Sequence, residues 1–122
     1  MDFVVRLVAT LPKVTGAIVE SNNWRLREGY PAVDWLTVAN LSVMAVQDQA
    51  KGWDLDTWNR RGDEGGLFGP DLLAWIELLS RPLDVGRSGT WVNGRHRAAL
   101  IAVSGALHIA VADPQSWRSD WD

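Results

Sequence analysis

The stretch Arg81–Asp113, RPLDVGRSGTWVNGRHRAALIAVSGALHIAVAD, has the clearest local pattern in this 122-residue chain. Its first half predicts a β-hairpin. Pro82–Val85 is apolar enough for a strand, the next four residues, Gly-Arg-Ser-Gly, favour a turn, and Thr90–Val92 predicts the returning strand. The hairpin therefore positions whatever follows Val92.

The second half of the stretch predicts a helix and a further strand. Asn93-Gly94 breaks the strand, and Arg95–Ser104 predicts a helix that ends at Gly105. Leu107–Ala112 then predicts a third strand. The fold class that follows is α+β, with a small mixed sheet and helices packed on it.

The first turn of the predicted helix is unusually basic. Arg95, His96 and Arg97 stand where up to four backbone N–H groups lack intrahelical partners and the helix dipole is positive. Cations are unfavourable there by about 0.3–1 kcal/mol, and a bound anion would relieve the conflict. Gly94, which lacks a Cβ, would let a phosphate approach the backbone. The alternative is that the arginines simply extend into water.

This unit resembles the ParB/sulfiredoxin superfamily. The similarity is carried by Pro82-Leu83-Asp84-Val85, by Trp91–Ala99 with its Gly-Arg-His-Arg core, and by Gly105 before a strand. Upstream, Trp58–Asp63 followed by a helix over Asp71–Leu79 is similar to the arginine-bearing loop and helix of that superfamily. The resemblance covers about residues 55–113.

The resemblance implies a nucleotide-phosphate site. Gly94, His96 and Arg97 match the phosphate cradle, and the nucleotide would be ATP, ADP or CTP, with or without Mg²⁺. Arg95 stands where sulfiredoxins have their catalytic cysteine, so sulfinic acid reduction is excluded. Only nine residues follow Asp113, so we expect no helix-turn-helix region of the chromosome-partitioning kind. The full set of predicted cofactor-binding residues is Asn93, Gly94, Arg95, His96, Arg97, Arg60 and Arg61.

One hypothesis for function is an enzyme that transfers or hydrolyses a phosphoryl group. Arg95 and Arg97 would clamp the phosphate, and His96 would donate a hydrogen bond. An acid, Asp63, Glu64 or Asp84, would hold Mg²⁺ or activate the acceptor. Positioning and charge stabilisation supply most of the catalysis in such reactions. The candidate catalytic residues are thus His96, Asp63 and Glu64.

The segment Trp53–Gly69 is predicted to be a loop-rich centre, because it contains several glycines as well as asparagine and acidic residues. From it, Arg60 and Arg61 would reach an anion held at Gly94. The alternative is that both arginines pair with Asp63 and Glu64 on the surface.

Composition narrows the classes of function. There is no cysteine, which excludes disulfides, thiolate metal sites and a thiol nucleophile. His96 and His108 lie twelve positions apart without an acid at zinc-ligand spacing, so no metal site is predicted. A net charge of −3 argues against nucleic acid as a partner. It therefore also argues against a nuclease as a further candidate function, since no basic groove is indicated. Without a long apolar run or a basic leader, the chain is expected to be a cytoplasmic protein that does not contact membranes.

A second hypothesis is a non-catalytic interaction module, such as an inhibitor or immunity-type factor, on a degenerate copy of the fold. Eight tryptophans are a high number, and tryptophan is enriched at interface hot spots. Trp117 and Trp121 would lie on one side of a last helical turn, where they either pack over the core or serve as anchors for a partner. Pro31–Lys51 predicts a long helix with a wide apolar face that serves either the core or a protein partner.

The chain is predicted to be a single domain, residues 1–122, with residues 53–122 forming the ParB/sulfiredoxin-like core. The N-terminal part, residues 1–52, has no place in that resemblance. It contains the long helix and three predicted strands, at Phe3–Thr10, 17–19 and Trp24–Arg27.

Overall fold

The computed structural model describes residues 1–14 and 33–118, the last two by their backbone alone. This part of the chain contains four strands, five α-helices and a 3-10 turn at Val8–Thr10, which confirms the α+β class. The predicted strands at 17–19 and 24–27, the start of the predicted helix at Pro31, and the side chains of both C-terminal tryptophans lie outside the described residues. The elements are β1 (Phe3–Leu7), α1 (Trp35–Asp48), α2 (Leu55–Glu64), α3 (Gly69–Ser80), β2 (Asp84–Val85), β3 (Trp91–Asn93), α4 (Arg95–Val103), β4 (His108–Ala112) and α5 (Pro114–Arg118).

The described strands form two antiparallel pairs. β2 and β3 make the predicted hairpin, and β1 pairs with β4 along its whole length, from Phe3 opposite Ala112 to Leu7 opposite His108. The two pairs meet where the Ala112 N–H donates to the Leu83 carbonyl at 2.9 Å. The expected small sheet is therefore divided in two, and this hydrogen bond bridges the halves.

Helix α1 begins at Trp35 because the Asp34 carboxylate caps it. That side chain accepts from the Thr37 N–H at 3.1 Å, and this bond, together with one from the Thr37 hydroxyl, lowers the pKa of Asp34. Ser42, a polar residue of α1, is fully buried. Its hydroxyl donates to its own helix at 2.7 Å and accepts from the Ala110 N–H at 3.2 Å, so it ties α1 to β4.

Helix α2 occupies most of the segment that was predicted to be a loop, so that prediction is wrong. Asp54 and Thr57 form a capping box, in which Asp54 accepts from the Thr57 N–H at 2.8 Å. The same bond is the main cause of a lowered Asp54 pKa. Gly62, which argued for a loop, is a buried helical residue. A Cβ there would lie 2.4 Å from Cδ1 of Trp75, so the glycine permits close packing rather than a turn.

Four aromatic rings form the centre of the core. Trp58 and Trp75 are stacked with ring centroids 4.1 Å apart, Phe3 stacks on Trp58 at 5.0 Å, and Trp53 meets it edge-on at 5.1 Å. Both indole N–H groups are satisfied within the Trp58–Trp75 pair, since each donates to the other residue's carbonyl. Trp75 is fully buried, whereas Leu73 on the same helix is 51% exposed.

A single cluster of buried side chains includes residues from both the N-terminal part and residues 53–122. β1 and α1 pack on β4, and α1 also contacts α3. The cluster leaves the N-terminus of α4 at its edge. Within the described ranges, no helix is both long and apolar enough to cross a membrane.

Candidate anion-binding site

Gly94 sets the start of helix α4. Its φ of 94° is in the left-handed region, and a Cβ would lie 2.4 Å from Cδ2 of Leu83 and 3.2 Å from Nη2 of Arg97. Glycine is thus required by the backbone and by the packing of Leu83. Gly94 also offers no side chain to cap α4. The three residues after it have the N–H groups that a helix does not satisfy within itself.

Arg97 is buried, with 4% of its surface exposed. Its guanidinium donates to the Glu77 carbonyl at 3.2 Å and to the Arg81 carbonyl, both at the C-terminal end of α3. These carbonyls form the negative end of a helix dipole, where a cation is favourable. Arg97 therefore does not extend into water, which was the alternative for the arginines of this turn. Arg97 joins the end of α3 to the beginning of α4.

A cleft of about 350 Å³ opens at this junction. It gathers five of the predicted cofactor-binding residues, Asn93 to Arg97, in one place. Three arginines and one glutamate give it a formal charge of +2 when the histidine is neutral (three minus one). Its size falls at the lower end of the usual range for ligand pockets. The lining residues are Glu77, Arg81, Trp91, Val92, Asn93, Gly94, Arg95, His96 and Arg97.

The hairpin wall of the cleft is held from behind. The Asn93 side-chain amide donates to the Pro82 carbonyl at 3.3 Å, which joins β3 to the chain before β2. The Trp91 indole N–H donates to the Pro12 carbonyl at 3.0 Å. One side of the cleft is therefore fixed to two separate segments, while the Arg81 and Arg95 side chains remain exposed to solvent.

The other predicted site residues do not line this cleft. Arg61 forms an ion pair with Asp48 of α1, at 2.8 Å. This is the predicted alternative for that arginine, a surface ion pair, but with a different partner. Asp63 and Glu64, proposed as metal-holding or catalytic acids, and Arg60 are exposed on α2. Their assignment followed from the supposed loop, which is a helix.

Sequence reasoning missed Glu77 and Arg81. Both are on or next to α3, fourteen or more positions before Arg95, and no motif connects them to the Gly-Arg-His-Arg turn. Only the packing of the α3 C-terminus against Arg97 brings them to the cleft. His108, the other histidine of the chain, is exposed on β4.

No family model, curated protein or solved structure matches this chain. The described residues also include no cluster of three or more histidine or acidic side chains able to hold a metal ion. The geometry of the cleft is therefore the basis for the functional argument.

Proposed function

We propose that this protein binds a phosphate-bearing ligand, such as a nucleotide, at the N-terminus of α4. The supporting observation is the cleft itself, in which Arg81, Arg95 and His96 surround the first turn of a helix that its own N-cap residue leaves uncapped. Helix N-termini and arginine side chains both favour oxyanions, and an arginine can hold a phosphate through two parallel hydrogen bonds.

The cationic side chains of the cleft would have different roles. Arg97 is engaged with the carbonyls of Glu77 and Arg81 and forms the floor of the cleft. The exposed arginines, Arg81 and Arg95, would contact the phosphate directly, and His96 would donate a further hydrogen bond. A superfamily relationship to ParB and sulfiredoxin proteins remains part of this proposal, with Gly94, His96 and Arg97 as the matching positions.

The geometry supports binding better than phosphoryl transfer. Asp63 and Glu64, the acids expected to hold Mg²⁺ or activate an acceptor, do not line the cleft. Glu77 is the carboxylate that does. A catalytic version of the proposal therefore requires His96 and Glu77 as the proton-transfer groups, and release of inorganic phosphate from ATP, ADP or CTP with Mg²⁺ would test it directly.

Calorimetry tests the binding proposal. Inorganic phosphate, pyrophosphate, ATP, ADP and CTP would be titrated into the protein with and without Mg²⁺. Arg95→Ala is expected to weaken binding at least tenfold, because a charge-assisted contact is lost. Arg87→Ala, an exposed arginine on the hairpin turn that does not line the cleft, is the matched control. If none of the ligands binds the unmodified protein, the proposal is wrong.

A second candidate function is the non-catalytic interaction module, which was first suggested by the number of tryptophans. Trp35, Trp53, Trp58 and Trp75 are buried, so these tryptophans are core residues and not anchors for a partner. What favours the module is a different surface, the exposed apolar side chains Leu36, Met44 and Leu107, which border a shallow cavity of about 400 Å³. A Met44→Lys, Leu107→Lys double variant that retains the fold but loses a protein co-purifying from the host would support it.

A further inference from the structure

A second cavity shares Trp91 with the anion-binding cleft. This apolar groove, of about 400 Å³, is bounded by the 3-10 turn with the residues that follow it and by one face of α4. Most of its lining is aliphatic, and it shares Trp91 with the polar cleft. The two cavities are thus neighbours with opposite chemistry. Among the groove residues are Val8, Leu11, Ala98, Ala99, Ala102 and Val103.

The groove owes its depth to small side chains and to one hydrogen bond. Ala98, Ala99 and Ala102 give α4 a low face, and Val103 stands 72% exposed beside them. The hydrogen bond from the Trp91 indole N–H to the Pro12 carbonyl fixes the segment that lines the groove opposite α4. Exposed apolar surface that is concave and fixed in this way favours an apolar ligand.

A smaller cavity of about 290 Å³ has lining residues in common with both the groove and the cleft. It shares Lys13 and Trp91 with the groove, and Trp91 and Arg95 with the cleft. Lys13 and Arg95 are both exposed and have the same sign of charge. An apolar groove next to two cations is complementary to an amphipathic anion.

We propose that the groove binds the aliphatic chain of a single-chain alkyl phosphate whose head lies between Lys13 and Arg95. This inference rests on the proposed function through Arg95 but adds the class of ligand. The aliphatic lining leaves the polar edges of a nucleobase without hydrogen-bond partners, whereas an alkyl chain has none to satisfy. The phosphate head is complementary in charge to Lys13 and Arg95.

The test is calorimetry with inorganic phosphate, butyl phosphate and octyl phosphate, all below the concentration at which they form micelles. Burying one methylene is worth up to about fourfold in affinity, so octyl phosphate is expected to bind at least tenfold more tightly than butyl phosphate. Octyl trimethylammonium, with the same chain and the opposite charge, is expected to bind much more weakly.

Two pairs of variants locate the ligand. Ala102→Trp fills the groove and is expected to remove the gain from chain length, while Gln47→Trp, an equally bulky change at an exposed site on α1, is expected to leave it intact. Lys13→Gln is expected to weaken octyl phosphate several-fold, and Lys51→Gln, the other lysine of the chain, to have no effect. Thermal unfolding of each variant checks that the fold is retained.

The outcomes separate this inference from the proposed function. If nucleotides or inorganic phosphate bind but affinity does not rise with chain length, the alkyl phosphate inference is overturned and the phosphate site stands. If octyl phosphate binds with the expected dependence on chain length and Lys13, but nucleotides neither bind nor displace it, nucleotide binding is overturned and the inference stands. Equal effects of Ala102→Trp and Gln47→Trp would also overturn the inference.

Discussion

Trp58 and Trp75 are bound to each other by two hydrogen bonds and a stacked ring pair. The Trp58 indole N–H donates to the Trp75 carbonyl at 2.7 Å, and the Trp75 indole N–H donates to the Trp58 carbonyl at 2.6 Å. Their ring planes differ by 6°. Because both residues lie in helices, the pair fixes α2 against α3 without leaving a buried indole N–H unsatisfied.

Gly62→Ala is predicted to destabilise the protein through this pair. In most helices the change to alanine gains about 1 kcal/mol. Here the new Cβ would lie 2.4 Å from Cδ1 of Trp75, whose ring is held by Trp58. We expect the free energy of unfolding to fall by about 1–3 kcal/mol, the usual cost of overpacking a core. Urea denaturation measures it, with Asn59→Ala on the exposed side of α2 as control. A rise in stability for Gly62→Ala would contradict this packing.

Arg97→Met is predicted to cost about 2–4 kcal/mol of stability. It removes two charge-assisted hydrogen bonds to the carbonyls at the end of α3, each worth about 1.5–3 kcal/mol. Part of this loss is offset, because methionine retains most of the aliphatic volume and buries no charge. Arg95→Met, two positions earlier and exposed, should stay within about 0.5 kcal/mol of the original protein. Chemical denaturation of the two variants side by side measures the difference. Equal midpoints would show that Arg97 does not stabilise the α3–α4 junction.

Gly94→Ala is predicted to cost more stability than Gly105→Ala. Both glycines have a positive φ, 94° and 88°, so alanine is strained by about 1–2 kcal/mol at either position. At Gly105 a Cβ would meet nothing within 4 Å, whereas at Gly94 it would collide with Leu83. The difference between the two thermal midpoints therefore isolates the Leu83 contact. A larger loss at Gly105 would refute it.

The Asp54 cap is predicted to stabilise the protein only above strongly acidic pH. Hydrogen bonds from Thr57 lower its pKa in the folded state, below the usual aspartate value of about 3.9. Its contribution is therefore complete above that value and is lost as the pH falls through the lower, folded pKa. Asp54→Asn retains an acceptor but does not titrate. We expect the stability gap between the two proteins to be constant above about pH 5 and to shrink in acid; a gap that widens in acid would contradict the cap.

The local structure of the central stretch was predictable because its signals are local. The hairpin glycines, the Asn-Gly break and Gly105 determine where β2, β3, α4 and β4 lie, within one or two residues of the observed bounds. The same local pattern predicted that Asn93 to Arg97 lie together, because residues that are adjacent in one helical turn are close in space whatever the rest of the fold is.

What could not be predicted depends on distant contacts. Helix α2 was not predicted because a glycine such as Gly62 counts against a helix unless the Trp75 ring packed against it is known. In addition, the Asp54–Thr57 capping box has threonine at the position that is usually glutamate, so its pattern is less recognisable. Glu77 reaches the cleft only through tertiary packing. Likewise, Arg97 has the same local pattern whether its guanidinium faces water or the end of another helix.

The pairing of β1 with β4 has a consequence for how the chain acquires its structure. Phe3 and Ala112 are partners although 109 positions separate them (112 minus 3). At roughly 5–20 residues per second, translation makes the second strand on the order of 5–20 s after the first. During that interval β1 has no β4 to pair with, and the Ser42 hydroxyl has no hydrogen bond from the Ala110 N–H. This core is therefore completed only after β4 has been made.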